Sequence, residues 1–263
     1  MISNHRLPGV TWCPNKVAFT RDRKLPGSAE PRPYSVRELA KHIDPVLVDD
    51  LGKLQIDTFK RVRLTVVFWD ISGFSALCED FTLYPESIIF FLNQYFSKAI
   101  KIIEKHHGVI DKFMGDGILA YFGYDRTENG DPHNAIKAAL KFKKQFPTLK
   151  KHFTQYCKKY NGQDVRRIDL KCGINNGPAY VYYFNTSMRN SVILLGSTVN
   201  FASRLEGMAE KDEIIISKEL KNMIQENYEF SEIPVKERIE NRIKSFEGVD
   251  IVYAIKGKRA GFK

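Results

Sequence analysis

The alternation of apolar and polar residues predicts a series of strands and helices that begins about a quarter of the way along the chain. The apolar, β-branched run Leu64–Trp69 is closed by an aspartate and a glycine, which predicts a buried strand that ends at Asp70. The apolar runs Val109–Met114 and Ile118–Phe122 flank a Gly-Asp-Gly sequence, which predicts a hairpin with Asp116 in its turn. Both stretches therefore place a carboxylate where an apolar strand meets a glycine.

Capping residues indicate where helices begin. Asp131 followed by Pro132 supplies an N-cap and a proline at the first helical position. The helix that follows is predicted to break near Pro147, because proline removes a backbone donor from a helix interior, and to resume as a basic second piece. Ser197–Met208 is predicted as another helix, directly after a glycine.

The remaining strands are predicted to form further antiparallel pairs. Arg167–Gly177 is predicted as a strand that turns at an Asn-Asn-Gly-Pro sequence into a hairpin partner, Ala179–Phe184. Ser191–Leu195 is another predicted strand, and Tyr228–Pro234 and Val249–Lys256 are predicted to close the sheet. Strands that alternate with helices and include early hairpins favour an α+β fold with a mostly antiparallel sheet.

Three parts of the chain are distinguished by their composition. Residues 1–61 are predicted to be an irregular, proline-containing arm followed by a helical segment, which a capping-box sequence opens at Ser35. Residues 62–256 carry the periodic pattern and are long enough for one domain with a full core. Residues 257–263 form a basic tail.

Composition argues against a membrane-spanning, secreted or nucleic-acid-binding protein. No apolar run is long enough to span a bilayer and the first twenty residues contain no signal-peptide core, so we expect a cytoplasmic protein without membrane insertion. The four cysteines are scattered and are expected to be reduced. The formal charge of +10 comes from lysines spread over predicted helix faces, which favours a solvated surface, and no nucleic-acid partner is expected.

The two strand-end carboxylates are candidates for metal chemistry. Magnesium is commonly bound by one or two carboxylates together with substrate phosphates, and Asp70 and Asp116 fit that pattern. A helix predicted over Ser72–Cys78 would direct free backbone N–H groups towards Asp70, which would favour an anion there. The alternative is that both aspartates merely terminate strands, since aspartate is a common turn residue.

Five sequence blocks then resemble a known family, the class III nucleotidyl cyclases with their adenylate/guanylate cyclase catalytic domain. Three match closely, and the other two are weaker. In chain order the blocks are Phe68-x-Asp70-Ile-x-Gly-Phe-Ser75, Lys112-x-x-Gly-Asp116, Cys172-Gly-Ile-Asn-Asn-Gly-Pro178, Gly196-x-x-Val-Asn200-x-Ala-x-Arg204 and Ile243-Lys-Ser-Phe with Val252-Tyr253. The resemblance covers roughly Val62–Ile255, so residues 62–256 are interpreted as a cyclase catalytic domain.

The resemblance implies a ferredoxin-like βαββαβ core with extra strands, assembled as a head-to-tail homodimer. It implies cyclisation of a nucleoside triphosphate with two divalent metal ions, Mg²⁺ or Mn²⁺. Asp70 and Asp116 match the family's metal carboxylates, with the Ile71 carbonyl as a further ligand. The phosphates would be cradled by the backbone N–H groups of the following turn, at Gly73, Phe74 and Ser75.

Two residues match the family's transition-state pair. Asn200 would orient the ribose, and Arg204 would stabilise charge on the reacting phosphorus; four residues apart, they share one helix face. Surface capping and solvated charge are the alternative explanation of these two side chains. Lys244 is an additional candidate phosphate contact. In the family the metal aspartates come from one chain and the Asn, Arg and base-reading residues from the other, which implies composite sites.

The base pocket departs from the family pattern. Adenylate cyclases usually combine a lysine, here Lys112, with an Asp or Thr at the position occupied here by Ile193, which cannot hydrogen-bond a base. We therefore favour UTP or CTP as substrate, as in the Pycsar-type bacterial pyrimidine cyclases, with cUMP or cCMP acting on a separate effector in antiphage defence. The alternatives are an adenylate cyclase that makes cAMP, a catalytically inactive binding module and a basic nucleic-acid-binding module.

Overall fold

The computed structural model describes residues 59–124, 129–185, 190–238, 248–259 and 261. Its strands are β1 (Phe59–Ser72), β2 (Gly108–Met114), β3 (Gly117–Phe122), β4 (Asp169–Asn185), β5 (Asn190–Leu195), β6 (Ile214–Ile216), β7 (Tyr228–Pro234) and β8 (Ile251–Lys258). Its helices are α1 (Phe74–Asp80), α2 (Pro85–Lys105), α3 (Pro132–Tyr160), α4 (Ser197–Met208), α5 (Lys218–Ile224) and α6 (Val235–Arg238). Lys244 and nearly all of the predicted N-terminal arm and helical segment lie outside the described residues.

β1 is an interior strand of the sheet, and both of its faces are buried. Val67 and Trp69 point into one hydrophobic cluster, and Val66 and Phe68 point into another on the opposite face. On one side β1 pairs antiparallel with β3, and on the other it pairs antiparallel with β4 over its whole length. The predicted strand is therefore confirmed, although it begins five residues earlier, at Phe59 within the predicted N-terminal segment, and extends two residues past Asp70.

The first four strands form the ferredoxin-like core that the resemblance implied. The sheet order is β2-β3-β1-β4-β6-β8-β7, with β5 paired to β4, so the core strands lie in the order β2-β3-β1-β4. The pairs are antiparallel except for β4 with β6. One face is covered by α2 and α3, and we call the cluster beneath them the helix-side core; it includes Trp69, Tyr95 and Phe142. None of the helices in the described ranges is both long and apolar enough to cross a bilayer.

The opposite face of the sheet is covered by α4. We call the cluster there the α4-side core; it includes Leu64, Phe68, Leu194 and Ala202. The helix comes so close to β4 that an added Cβ at Gly173 would lie 2.1 Å from the backbone nitrogen of Glu206 and 2.3 Å from the Ala202 carbonyl oxygen. No side chain larger than hydrogen fits there unless α4 moves.

The predicted turn at Asn-Asn-Gly-Pro is wrong, because β4 runs straight through it. The side chains of the two asparagines are hydrogen-bonded within the extended structure. Asn176 Nδ2 donates to Thr65 Oγ1 at 2.8 Å, and Asn175 Nδ2 donates to the Thr198 carbonyl oxygen at 3.2 Å. Pairing with β1 and docking of α4 thus override the local turn signal, and the hairpin partner of β4 is β5 rather than Ala179–Phe184.

The predicted break in the third helix is also wrong, since α3 is continuous from Pro132 to Tyr160. Pro147 lies on its exposed side, while Phe146, Leu149 and Phe153 are buried in the helix-side core on either side of the proline. Packing of this apolar stripe compensates for the hydrogen bond that the proline removes. The predicted start of the helix is confirmed, because the Asp131 side chain accepts a hydrogen bond from the Asn134 N–H.

The close approach of α4 to β4 gives a test of the fold. We expect Gly173→Ala to lower the free energy of unfolding by about 1–3 kcal/mol, the usual effect of overpacking, in chemical denaturation monitored by circular dichroism. Gly207→Ala is the matched control, because nothing lies within 4 Å of an added Cβ there. It should be neutral or stabilising by up to about 1 kcal/mol. Equal stabilities for the two variants would contradict the described packing.

Candidate active site

The structure brings the two predicted metal carboxylates together at one end of the sheet. Asp70 lies near the end of β1, and Asp116 lies in the turn that joins β2 to β3. Antiparallel pairing of β1 with β3, in which Trp69 is opposite Ile118, brings that turn next to Asp70. The Ile71 N–H donates a hydrogen bond of 3.1 Å to Asp116 Oδ2, so the backbone beside one carboxylate orients the other.

The electrostatics of this carboxylate pair favour a bound cation. Burial, and then the nearby charge of Asp70, raise the pKa of Asp116 to about 6. A divalent ion would remove the repulsion, and carboxylate oxygens are ligands that Mg²⁺ and Mn²⁺ accept. No group of three or more His, Cys, Asp or Glu side chains lies together among the described residues. The donors present therefore fit a metal that is shared with substrate phosphates.

The predicted phosphate-binding turn follows directly after Asp70. Gly73 has φ of 85° and precedes α1, and an added Cβ there would lie 3.1 Å from the Arg167 carbonyl oxygen. A glycine is therefore required both by backbone conformation and by space. The N–H groups of Phe74 and Ser75 are in the first turn of α1, where a helix has no internal acceptors for them.

Two charged residues beside Asp70 were missed by the sequence analysis. Lys171 of β4 is directly opposite Asp70 of β1, so both side chains share one face of the sheet. Its ammonium group lies 3.1 Å from Glu206 Oε1 on α4. Burial raises the pKa of Glu206, and the Lys171 charge counteracts that rise. Only the strand register, which is not visible in the sequence, could have placed this ion pair beside Asp70.

The predicted transition-state pair lies on α4. Asn200 and Arg204 are exposed, whereas Val199, Ala202 and Leu205 of the same helix are buried. The predicted helix and the shared face of Asn200 and Arg204 are thus confirmed, and their catalytic roles stay predictions. In one protomer both side chains face outward, where a second chain can approach them.

The two predicted base-reading positions lie on different strands. Lys112 is on β2 with an exposed side chain, and Ile193 is on β5, opposite Tyr182. The two strands contact each other although neither pairs with the other. Beside Lys112 the structure places a buried carboxylate, Asp111, that the sequence analysis did not identify.

Comparison with known proteins agrees with this fold. The family model for the Adenylate and Guanylate cyclase catalytic domain matches residues 56–257. An adenylate cyclase of Anabaena cylindrica is 27% identical over 171 residues, 65% of this chain and 32% of that protein. The receptor-type guanylate cyclase gcy-5 of Caenorhabditis elegans is 30% identical over 167 residues, 63% of this chain and 14% of that protein.

A solved structure resembles the whole described domain. The adenylyl cyclase CyaB from P. aeruginosa is 29% identical and superposes with a TM-score of 0.68 over 78% of this chain and 100% of that one. The chain thus spans about a third or less of the two curated relatives but the full length of the crystallised domain. These similarities include both adenylate and guanylate cyclases, so they do not fix the base.

The raised pKa of Asp116 predicts how replacement of this carboxylate changes the stability of the fold at different pH values. The folded-state pKa of about 6 is above the usual aspartate value, so the ionised carboxyl destabilises the fold above pH 6, and this effect disappears below the unfolded-state pKa of about 3.9. We expect Asp116→Asn to raise the melting temperature at pH 7.5 in a chelator, and to match wild type near pH 3.5. A lower melting temperature for the variant at pH 7.5 would contradict the described electrostatics.

Proposed function

Because the chain belongs to the adenylate and guanylate cyclase catalytic domain family, we propose that it converts a nucleoside triphosphate to a 3′,5′-cyclic nucleotide and pyrophosphate. The observation that carries the proposal is the pair of carboxylates, Asp70 and Asp116, joined through the Ile71 N–H and left with excess negative charge. A pair without a catalytic ion would simply destabilise the fold. The proposed activity belongs to the predicted catalytic domain, residues 62–256.

Each part of the described site has a task in this reaction. Asp70 and Asp116, with the Ile71 carbonyl, would hold two divalent ions, Mg²⁺ or Mn²⁺. When bound, such ions lower the pKa of the ribose 3′-hydroxyl and neutralise phosphate charge. The turn at Gly73 and the first N–H groups of α1 would hold the phosphates, so that the α-phosphorus faces the 3′-oxygen in line. Lys171 lies opposite Asp70 in the sheet, but its ammonium group is paired with Glu206 and leaves the charge of Asp70 to a bound cation.

The transition-state residues are proposed to come from a second copy of the chain. Asn200 would orient the ribose of a nucleotide held by the partner, and Arg204 would donate to the equatorial phosphate oxygens as negative charge builds up. Exposure of both residues in one protomer supports this assignment. A head-to-tail homodimer would form two such sites. Lys244, as predicted, would add a phosphate contact.

For the base we propose a pyrimidine, with UTP or CTP giving cUMP or cCMP. Ile193 supports this choice, because it offers no hydrogen bond where adenylate cyclases usually have one. An antiphage second messenger read by a separate effector is the role proposed for such a product. Its triphosphate substrate and the free cysteines of the described residues suit a cytoplasmic location. The second candidate is an adenylate cyclase, favoured by the similarity to CyaB and to the Anabaena cylindrica protein.

The substrate is tested by incubating the purified chain with ATP, GTP, CTP and UTP separately, with Mg²⁺ or Mn²⁺, and identifying products by mass. We expect cUMP or cCMP as the main product. cAMP as the main product would instead establish the adenylate cyclase candidate. A folded dimer that forms no cyclic nucleotide from any of the four would overturn the proposed reaction and favour a binding module.

Composite sites are tested by mixing two inactive variants. Asp70→Ala removes the metal side of a site and Arg204→Ala removes the transition-state side. After mixing and refolding or subunit exchange, half of the dimers would be heterodimers, and each heterodimer would have one intact site out of two. We therefore expect about a quarter of wild-type activity. The matched control is a mixture of Asp70→Ala with Asp116→Ala, which damages the same side and should stay inactive. Equal activities of the two mixtures would contradict a shared site.

A further inference from the structure

An irregularity in β2 turns two neighbouring side chains to the same face. In its pairing with β3, Ile110 is opposite Ala120 and Lys112 is opposite Leu119, so Asp111 is an extra residue without a partner of its own. A β-bulge of this kind interrupts the normal alternation of side chains. Because Leu119 belongs to the α4-side core, Lys112 also points to that face, and Asp111 lies beside it.

The Asp111 carboxylate is buried without full compensation. Its side chain is only 1% exposed, compared with 43% for Lys112, whose ammonium nitrogen lies 3.1 Å from Asp111 Oδ2. Despite that contact, neither oxygen accepts a hydrogen bond of normal geometry from any described residue. Burial raises the pKa of Asp111, although the Lys112 charge and the nearby Leu194 N–H oppose the rise. Such a group is costly to keep in a fold.

A second buried aspartate, Asp169, shows how a structural carboxylate is hydrogen-bonded in this protein. The side chain of Asp169 is also 1% exposed, but it accepts hydrogen bonds of 2.9 Å from Lys150 and 2.7 Å from Arg167. These partners lower the pKa of Asp169. The two side chains are equally little exposed, and only Asp169 accepts hydrogen bonds of normal geometry from two cationic partners.

Asp111 also lies next to the base-reading position on β5. In the sheet order β3, β1 and β4 separate β2 from β5, so the two strands meet only because the sheet curls around the α4-side core. The Leu194 N–H that faces Asp111 directly follows Ile193 in the chain. The bulge thus places a carboxylate beside the β5 backbone at the residue that follows Ile193.

We propose that Asp111 and Lys112 form the base-reading pair of this cyclase, with Asp111 supplying a hydrogen-bond acceptor from β2, at a position different from the one that Ile193 occupies on β5. The pair would recognise a base edge that carries a donor beside an acceptor: the donor binds the carboxylate and the acceptor receives a hydrogen bond from the ammonium group. Rotation of the exposed Lys112 side chain would open Asp111 to the base. This inference rests on the proposed cyclase reaction.

The experiment compares Asp111→Asn and Asp111→Leu with wild type and with Asp169→Asn as the matched control. For each protein, kcat/KM is measured on ATP, GTP, CTP and UTP, together with the melting temperature. We expect both Asp111 variants to lose roughly ten- to hundredfold in kcat/KM on the preferred substrate and much less on the others. Their melting temperatures should equal or exceed that of wild type, with the leucine variant the more stable.

The control and the alternatives have different outcomes. Asp169→Asn should melt at a lower temperature and change kcat/KM by one common factor for all four substrates. Ratios among the four substrates that stay within twofold of wild type in both Asp111 variants would overturn the inference while the cyclase reaction stands. Lower melting temperatures with uniform losses in those variants would assign Asp111 to stability alone. A wild-type protein without activity would overturn the proposed reaction, and this inference with it.

Discussion

The pairing of β1 with β4 is the constraint on which the rest of the molecule depends. Fourteen residues of β1, from Phe59 to Ser72, are in unbroken antiparallel register with β4. That register fixes Lys171 opposite Asp70 and places Gly173 where α4 can reach the sheet. Because β1 pairs with β3 on its other side, the same strand also determines where Asp116 lies. The proposed metal carboxylates and the helix that carries the proposed transition-state residues are thus positioned by the two pairings of β1.

The buried carboxylates of this protein differ in how completely nearby cations and hydrogen-bond donors compensate their charge, and this difference distinguishes a structural carboxylate from those with a proposed function. Asp169 is buried with two cationic partners, as a residue that only maintains the fold should be. Asp116 and Asp111 are held with raised pKa values and incomplete compensation. Functional groups are often kept at some expense of stability, because the missing interaction is supplied by the ligand. In the proposed reaction Asp116 would lie at the phosphates of the substrate and Asp111 at its base.

Local sequence patterns predicted those parts of the fold and site that depend on neighbouring residues. The strand that carries Asp70, the turn that carries Asp116 and the helix that carries Asn200 all follow from apolar periodicity and glycines, and all are confirmed. Prediction failed where long-range contacts determine the local structure. Cross-strand hydrogen bonds keep the Asn-Asn-Gly-Pro sequence extended within β4, and core packing keeps α3 helical through Pro147. Lys171 and Asp111 were missed for the same reason, since strand register and a bulge determine their surroundings.

The bulge in β2 makes the proposed base pocket sensitive to the number of residues in the strand as well as to their identity. With one residue fewer between Ile110 and Phe113, regular alternation would return and a carboxylate and an ammonium group could no longer occupy the same face as neighbours. β2 is an edge strand with one neighbour in the sheet order, so the sheet would tolerate a deletion there better than a deletion in a strand that is paired on both sides. Gain or loss of a single codon in this strand is therefore a route by which related genes could diverge in the nucleotide they use, without rebuilding the catalytic end of the sheet.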